Sequence, residues 1–407
     1  METVLELELG NKPTDECKTY ATLFLPATPY ELRDALDELR LPKDGVMTVE
    51  ILSAIPEASY LMDRMKWQSR KAPELYLVNA LTEKIAQMDS MARCVLEGMV
   101  RMEREKEESG IPAARLYDLA SSMDRYNVVP EATDDASLGR YYVKNGFLAE
   151  YDDLPEPVTA NLDYAKIGRE MREEEDGVFL SRGGYVVQHD EIREASREFA
   201  PQEPDYTVLM EVSQGAQTAL LKLPAAPHEM DAALAAVGAV DWPDVRLRCV
   251  DCKVPVLEET MTKSADVAQA SRAARMLEGL DREQTTVYKA LLEARGITNL
   301  EGALEMIVWL DQYILKPEYD TPADVGLSYL QNLVGPDEAE QMRPYVHLYD
   351  FGNSVMQRRH ISMTHYGTIE RRDGEPVREV FDQQPEESRD TGNDQAKHDR
   401  KPPVPSR

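Results

Sequence analysis

The feature that most constrains this chain is that the same pattern occurs in it twice. Residues 224–234 (PAAPHEMDAAL) repeat residues 26–36 (PATPYELRDAL) at constant spacing, with identities at Pro26/Pro224, Ala27/Ala225, Pro29/Pro227, Glu31/Glu229, Ala35/Ala233 and Leu36/Leu234. Residues 311–330 then repeat 124–143 without a gap, keeping Asp124/Asp311, Tyr126/Tyr313, Pro130/Pro317, Glu131/Glu318, Ala136/Ala323, Gly139/Gly326 and Tyr142/Tyr329. Gly168 and Gly352 correspond further on, and Val178-Phe179 finds a counterpart around residues 361–366. Matches in collinear order predict a tandem duplication of a unit of about 165 residues, with shorter loops in the second copy. The recurring tyrosines and glycines read as framework: aromatic packing, and glycine where helices approach closely.

Within a copy the hydrophobic period changes twice. Residues 18–26 and 47–55 alternate as strands around a helix at 29–39, where Leu32, Ala35, Leu36 and Leu39 share a face. From Pro73 the period is helical, with two helices broken near Asp89 and a third after Gly110-Ile111-Pro112. A helix ending near Asp176-Gly177 and a hairpin turning at Arg182-Gly183-Gly184 close the copy. The expected fold class is α+β, an elongated chain of small α/β and helical modules. Its expected divisions are a lead at 1–17, a short strand or disordered; a first copy at 18–188 (α+β module 18–72, helical module 73–150, helix–hairpin module 151–188); a charged linker at 189–205; and a second copy at 206–368. A tail at 369–407, poor in large apolar residues after Phe381, is expected to be disordered.

The 75 acidic residues outweigh 46 basic ones to give a net charge of −29. The excess is −16 over residues 1–200, −13 over 201–350 and zero beyond, so it belongs to both copies. Such a chain is repelled by nucleic-acid phosphates and anionic lipid and attracted to basic surfaces, although acidity for solubility alone produces similar totals. No apolar run reaches membrane-spanning length and no secretory leader is legible, so the expected location is the cytoplasm. Cys249 and Cys252 form a CxxC in a strand-like stretch, without a second pair or a βαβ context, so neither zinc nor redox chemistry is expected. Hydrolase, P-loop, dinucleotide and zinc-protease motifs are absent. His360 and His365 are expected on opposite faces of a hairpin strand. Asp134-Asp135 and the run from Glu173 to Asp176 lack the alternating spacing of a calcium loop. Catalysis is disfavoured, and no metal or cofactor is expected.

Leu138-Gly139-Arg140-Tyr141-Tyr142, Asp163-Tyr164 through Gly168-Arg169-Glu170, Glu174-Glu175-Asp176-Gly177-Val178-Phe179 and Gly184-Tyr185-Val186 carry a further reading. On these residues the first copy resembles the ArdA-type antirestriction proteins of bacterial mobile elements and phages. The likeness covers roughly residues 18–188 and, more faintly, 206–368. It implies an elongated acidic protein that imitates bent B-form DNA, usually as a dimer, and occupies the DNA-binding groove of a type I restriction–modification enzyme. It implies no direct binding of nucleic acid and no membrane. Duplex DNA carries one charge per ~1.7 Å, so the net charge corresponds to roughly 50 Å of duplex.

On this reading the candidate partner-binding acids are Asp134, Asp135, Asp152, Asp153, Asp163, Glu170, Glu173, Glu174, Glu175 and Asp176, with Glu318, Asp320 and Asp324 in the second copy. Lys166/Glu170, Arg169/Glu173 and Arg172/Asp176 are spaced as i,i+4 ion pairs, which leaves Asp163, Glu174 and Glu175 unpaired. The fused copies are expected either to form an internal pseudo-dimer or to dimerise further. The second copy departs from the pattern, with His347-Leu348 for Asp163-Tyr164 and Asn353-Ser354 for Arg169-Glu170. The alternative is an acidic interaction or anti-defence protein that binds another basic, DNA-binding partner; an enzyme with an unrecognised carboxylate site is a third.

Overall fold

The computed structural model describes residues 2–11, 19–42, 45–104, 110–151, 154–264, 266–297 and 299–377. The principal elements of the first unit are β1 (Leu5–Gly10), β2 (Tyr20–Leu25), α1 (Pro29–Glu38), β3 (Thr48–Ala54), α2 (Ala72–Gln87), α3 (Ser90–Arg104), α4 (Ala113–Ala120), β4 (Tyr126–Val129), α5 (Asp135–Lys144), α6 (Tyr164–Glu175), β5 (Val178–Phe179) and β6 (Tyr185–Gln188). Those of the second are β7 (Val208–Gln214), β8 (Gln217–Leu223), α7 (Pro227–Val237), β9 (Arg246–Cys252), α8 (Val267–Glu278), α9 (Arg282–Arg295), α10 (Leu300–Glu305), β10 (Tyr313–Lys316), α11 (Pro322–Val334), α12 (Leu348–Arg359), β11 (Ser362–Thr364) and β12 (Gly367–Arg371). The class is mixed α+β, and the two units run through the same elements in the same order.

The duplication extends to fine detail. Sheet β2-β1-β3 has its counterpart in β8-β7-β9, and β4-β6-β5 in β10-β12-β11. Each first sheet is antiparallel, and its register shifts at the same place, beside Leu52 in β3 and beside Val250 in β9. Both β2 and β8 end on a cis proline, Pro26 and Pro224. The inward faces of the central strands are Leu5, Leu7 and Leu9 in one unit and Val208, Met210 and Val212 in the other, all buried. Period-2 alternation with one apolar face produces this one-sided sheet.

The recurring glycines pack helix against helix. A Cβ on Gly139 would lie 2.1 Å from the Tyr164 carbonyl oxygen, and one on Gly168 1.9 Å from that of Asp135. In the second unit the distances are 2.4 Å from Gly326 to Leu348 and 1.6 Å from Gly352 to Pro322. Only glycine allows α5 and α6, and likewise α11 and α12, to meet backbone to backbone.

Three expected boundaries move. Residues 1–17 are not a separate lead, since Leu5–Gly10 is the central strand of the first sheet. No module boundary falls at 150, because β4 pairs with β6 and α5 packs on α6, making residues 126–188 one module. The connection at 189–205 lies on the first unit, with Ser196 hydrogen-bonded to Asp118 and Phe199 against Tyr117. The expected tail lies, from residue 378 onward, outside the described residues. His360 is not on a strand: it ends α12 in the left-handed conformation (φ 53°), while His365 sits at the hairpin tip beside Glu293.

The two units meet through α1. Lys289 of α9, its side chain 3 % exposed, reaches Asp34 at 2.7 Å and Asp37 at 3.0 Å. The Tyr366 hydroxyl donates to Asp34, and Thr28 and Tyr206 both donate to the buried Asp251. Arg40 closes the far end on Asp320 at 2.8 Å and on the carbonyls of Pro317 and Tyr319.

Candidate acidic interface

Those predicted acids of the first unit that the structure describes sit on the α5–α6 pair and at its caps. Asp134 caps α5 by accepting the Ser137 N–H at 2.7 Å, which holds its carboxyl below the usual range. Asp135, in the first turn, does not face outward: Arg172 donates to it at 2.9 Å and Arg169 lies at 3.7 Å. The close crossing at Gly139 and Gly168 brings these arginines onto the neighbouring helix. The expected pairs Arg169/Glu173 and Arg172/Asp176 are therefore replaced by pairs across helices, whereas Lys166–Glu170 forms at 3.8 Å. Asp176 has left the helix row, with φ 53° at the C-cap.

Glu175 is also turned inward. The Tyr142 hydroxyl donates to it at 2.6 Å, and Tyr185 stands behind at 3.5 Å. Asp163 caps α6 through the Lys166 N–H and stays exposed. Glu170, Glu173, Glu174 and Asp176 are exposed too. Among the described residues, only Glu170 of these four has an ion-pair partner. Asp152 and Asp153 lie outside the described residues.

The second unit treats its candidates differently. Glu318 is exposed. Asp320 is 11 % exposed and held by Arg40 and Thr19 of the first unit. Thr321 caps α11, and Asp324 completes the capping box by accepting from the backbone of Asp320 and Thr321. These two carboxylates serve the fold and the contact between units, so the exposed acidic row belongs to α6.

A second group of acids, unforeseen from sequence, lies where α1 meets the second unit. Burial pushes Glu38 up to about 7, aided by Asp34 and Glu293 against the opposing effect of His365 and Lys289. Burial likewise raises Glu258 to about 8, with Glu31 and Asp251 adding repulsion, and its Oε1 has no hydrogen-bond partner. The signal for this group was the acid spacing along α1, Glu31, Asp34, Asp37 and Glu38, together with one lysine in the apolar stretch VYKALL.

Other chemistry finds little support. Cys249 and Cys252 are free and buried, and burial pushes the Cys249 thiol up to about 12. A cleft of about 390 Å³ between the units is lined by Arg33, Lys253, Arg282 and Lys289, but all are engaged: Lys253 by the carbonyls of Leu277 and Leu280, the others by carboxylates. Among the described residues there is no group of three or more His, Cys, Asp or Glu placed to hold a metal, and no helix long and apolar enough to cross a membrane. Comparison with protein-family models, with curated proteins and with solved structures found no match.

Proposed function

We propose that this protein inhibits a type I restriction–modification enzyme by occupying its DNA-binding groove with an acidic surface that imitates B-form DNA. The observation that carries the reading is the outer row of α6. Glu170, Glu173 and Glu174 are exposed along it, Asp176 is exposed at the left-handed C-cap, and of these four only Glu170 has a salt bridge among the described residues. From Glu170 to Glu174 the row rises about 6 Å at 1.5 Å per residue, a length over which duplex DNA presents roughly three to four charges. Three carboxylates approach that density. Asp163 and Asp134 flank the row and are also exposed.

The test is cleavage of unmodified DNA by a purified type I enzyme with and without the protein. The variant Glu173→Lys/Glu174→Lys/Asp176→Asn should inhibit at least tenfold less well while melting at the wild-type temperature; asparagine tolerates the left-handed position of Asp176. Inhibition by the wild type should weaken as salt is added and be competed by duplex DNA. Undiminished inhibition by the triple variant at several salt concentrations would remove the surface assignment. A wild-type protein that leaves type I cleavage untouched would overturn the choice of target.

A further inference from the structure

We propose that the outer face of sheet β2-β1-β3 in one molecule docks on the outer face of sheet β8-β7-β9 in a second copy of this chain. Both faces are open, and each exposes a large apolar side chain: Phe24 is 55 % exposed and Leu220 62 %. On the first face Glu6 and Glu8 project from the central strand, and Glu50 stands directly opposite Glu8. Like charges placed opposite one another destabilise a sheet that has no covering partner. None of the three has a salt bridge among the described residues; Glu6 accepts only the Ser53 hydroxyl.

The corresponding face of the second unit keeps one acid, Glu211 in the place of Glu8, but adds three cations. Strand register aligns Glu50 with Arg248, Thr48 with Arg246 and Phe24 with Lys222. Arg248 is paired with Glu211 at 3.1 Å and Lys222 with Asp205 at 2.7 Å, while Arg246 has no salt bridge among the described residues. In a chain of net charge −29, one sheet face presents an excess of cations. The same surface has therefore diverged in opposite directions in the two copies, as a complementary pair of faces would.

Sheets that pack face to face stand about 10 Å apart with strands within about 30° of one another. At that spacing Phe24 and Leu220 are buried against the opposing sheet while carboxylates meet guanidinium groups. The contact is distinct from the α1 contact inside the chain. Reciprocal engagement of both faces closes a dimer, and successive engagement extends a chain of molecules.

Sedimentation equilibrium of the full-length protein tests the pairing. The wild type should self-associate at concentrations on the order of 100 µM or below. Glu8→Arg/Glu50→Arg makes both faces positive and Arg246→Glu/Arg248→Glu makes both negative, so each alone should associate at least tenfold more weakly. Mixing the two in equal amounts should restore association, because each then supplies the face that the other lacks. Should a reversed variant melt early, Glu8→Gln/Glu50→Gln serves in its place for the loss of self-association. A wild type that stays monomeric, or variants that associate unchanged, or well-folded reversed variants with no recovery in the mixture, would overturn the proposal.

Discussion

Lys289 is the cation on which the packing of the two units turns. Burial alone would lower its pKa, but Asp34 and Asp37 on either side more than reverse that and hold it charged. Lys289→Met would leave two carboxylates facing each other beneath Glu38, and loss of one partner from a buried ion pair costs about 3–5 kcal/mol. Chemical denaturation should show that loss, and adding Asp34→Asn with Asp37→Asn should recover much of it. Gly168 makes the second single-residue case. A methyl group there meets the Asp135 carbonyl rather than a side chain that could move aside. Gly168→Ala should therefore destabilise by about 3 kcal/mol, with Gly352→Ala doing the same in the second unit. Both glycines were legible because they recur in the two copies, and recurrence at a helical position singles out a steric requirement.

At the scale of elements, α1 was recognisable as an amphipathic helix, and its apolar face lies where the spacing of Leu32 and Ala35 placed it. What covers its acidic face was not recognisable, because Lys289 and Tyr366 lie hundreds of residues away. The same limit explains Arg172. Spacing along one helix offered it Asp176, but the left-handed cap turns Asp176 away and the glycine crossing supplies Asp135 instead. The acids of the α1 contact also set a pH dependence. Glu38 and Glu258 bind protons more tightly when folded, near 7 and 8, than at the ordinary value of 4.5. Between about pH 4.5 and 8 the folded state thus holds more protons than the unfolded one, and stability falls as pH rises. The melting temperature should be higher at pH 6 than at pH 8.5, and Glu38→Gln with Glu258→Gln should flatten that difference. A melting temperature that rises with pH across this window would contradict the assignment.

Over the whole molecule the duplication was readable, and the way its halves combine was not. A pseudo-dimer would be expected to use matching surfaces, yet α1 docks on β9, α9 and the β12 hairpin, and the reverse contact has no chemistry to support it. Cap and strand register place Ala232, Ala235 and Gly238 of the second unit where the first has Asp34, Asp37 and Arg40. The first unit in turn has Ser53 and Gly183 where the second has Asp251 and Tyr366. The contact is head-to-tail and used once. Its consequence appears during synthesis. Asp34 is made 332 residues before Tyr366, its hydrogen-bond partner. At typical elongation rates of 5–20 residues per second, that separation lasts on the order of 15–60 s. Until Arg282 and Lys289 are made, 245 and 252 residues after Asp37, the first unit carries Asp34 and Asp37 open to water, so they are solvated charges first and interface residues only later in translation. A ribosome stalled before residue 206 would hold a first unit that can fold its own sheets but lacks the second-unit partners of α1.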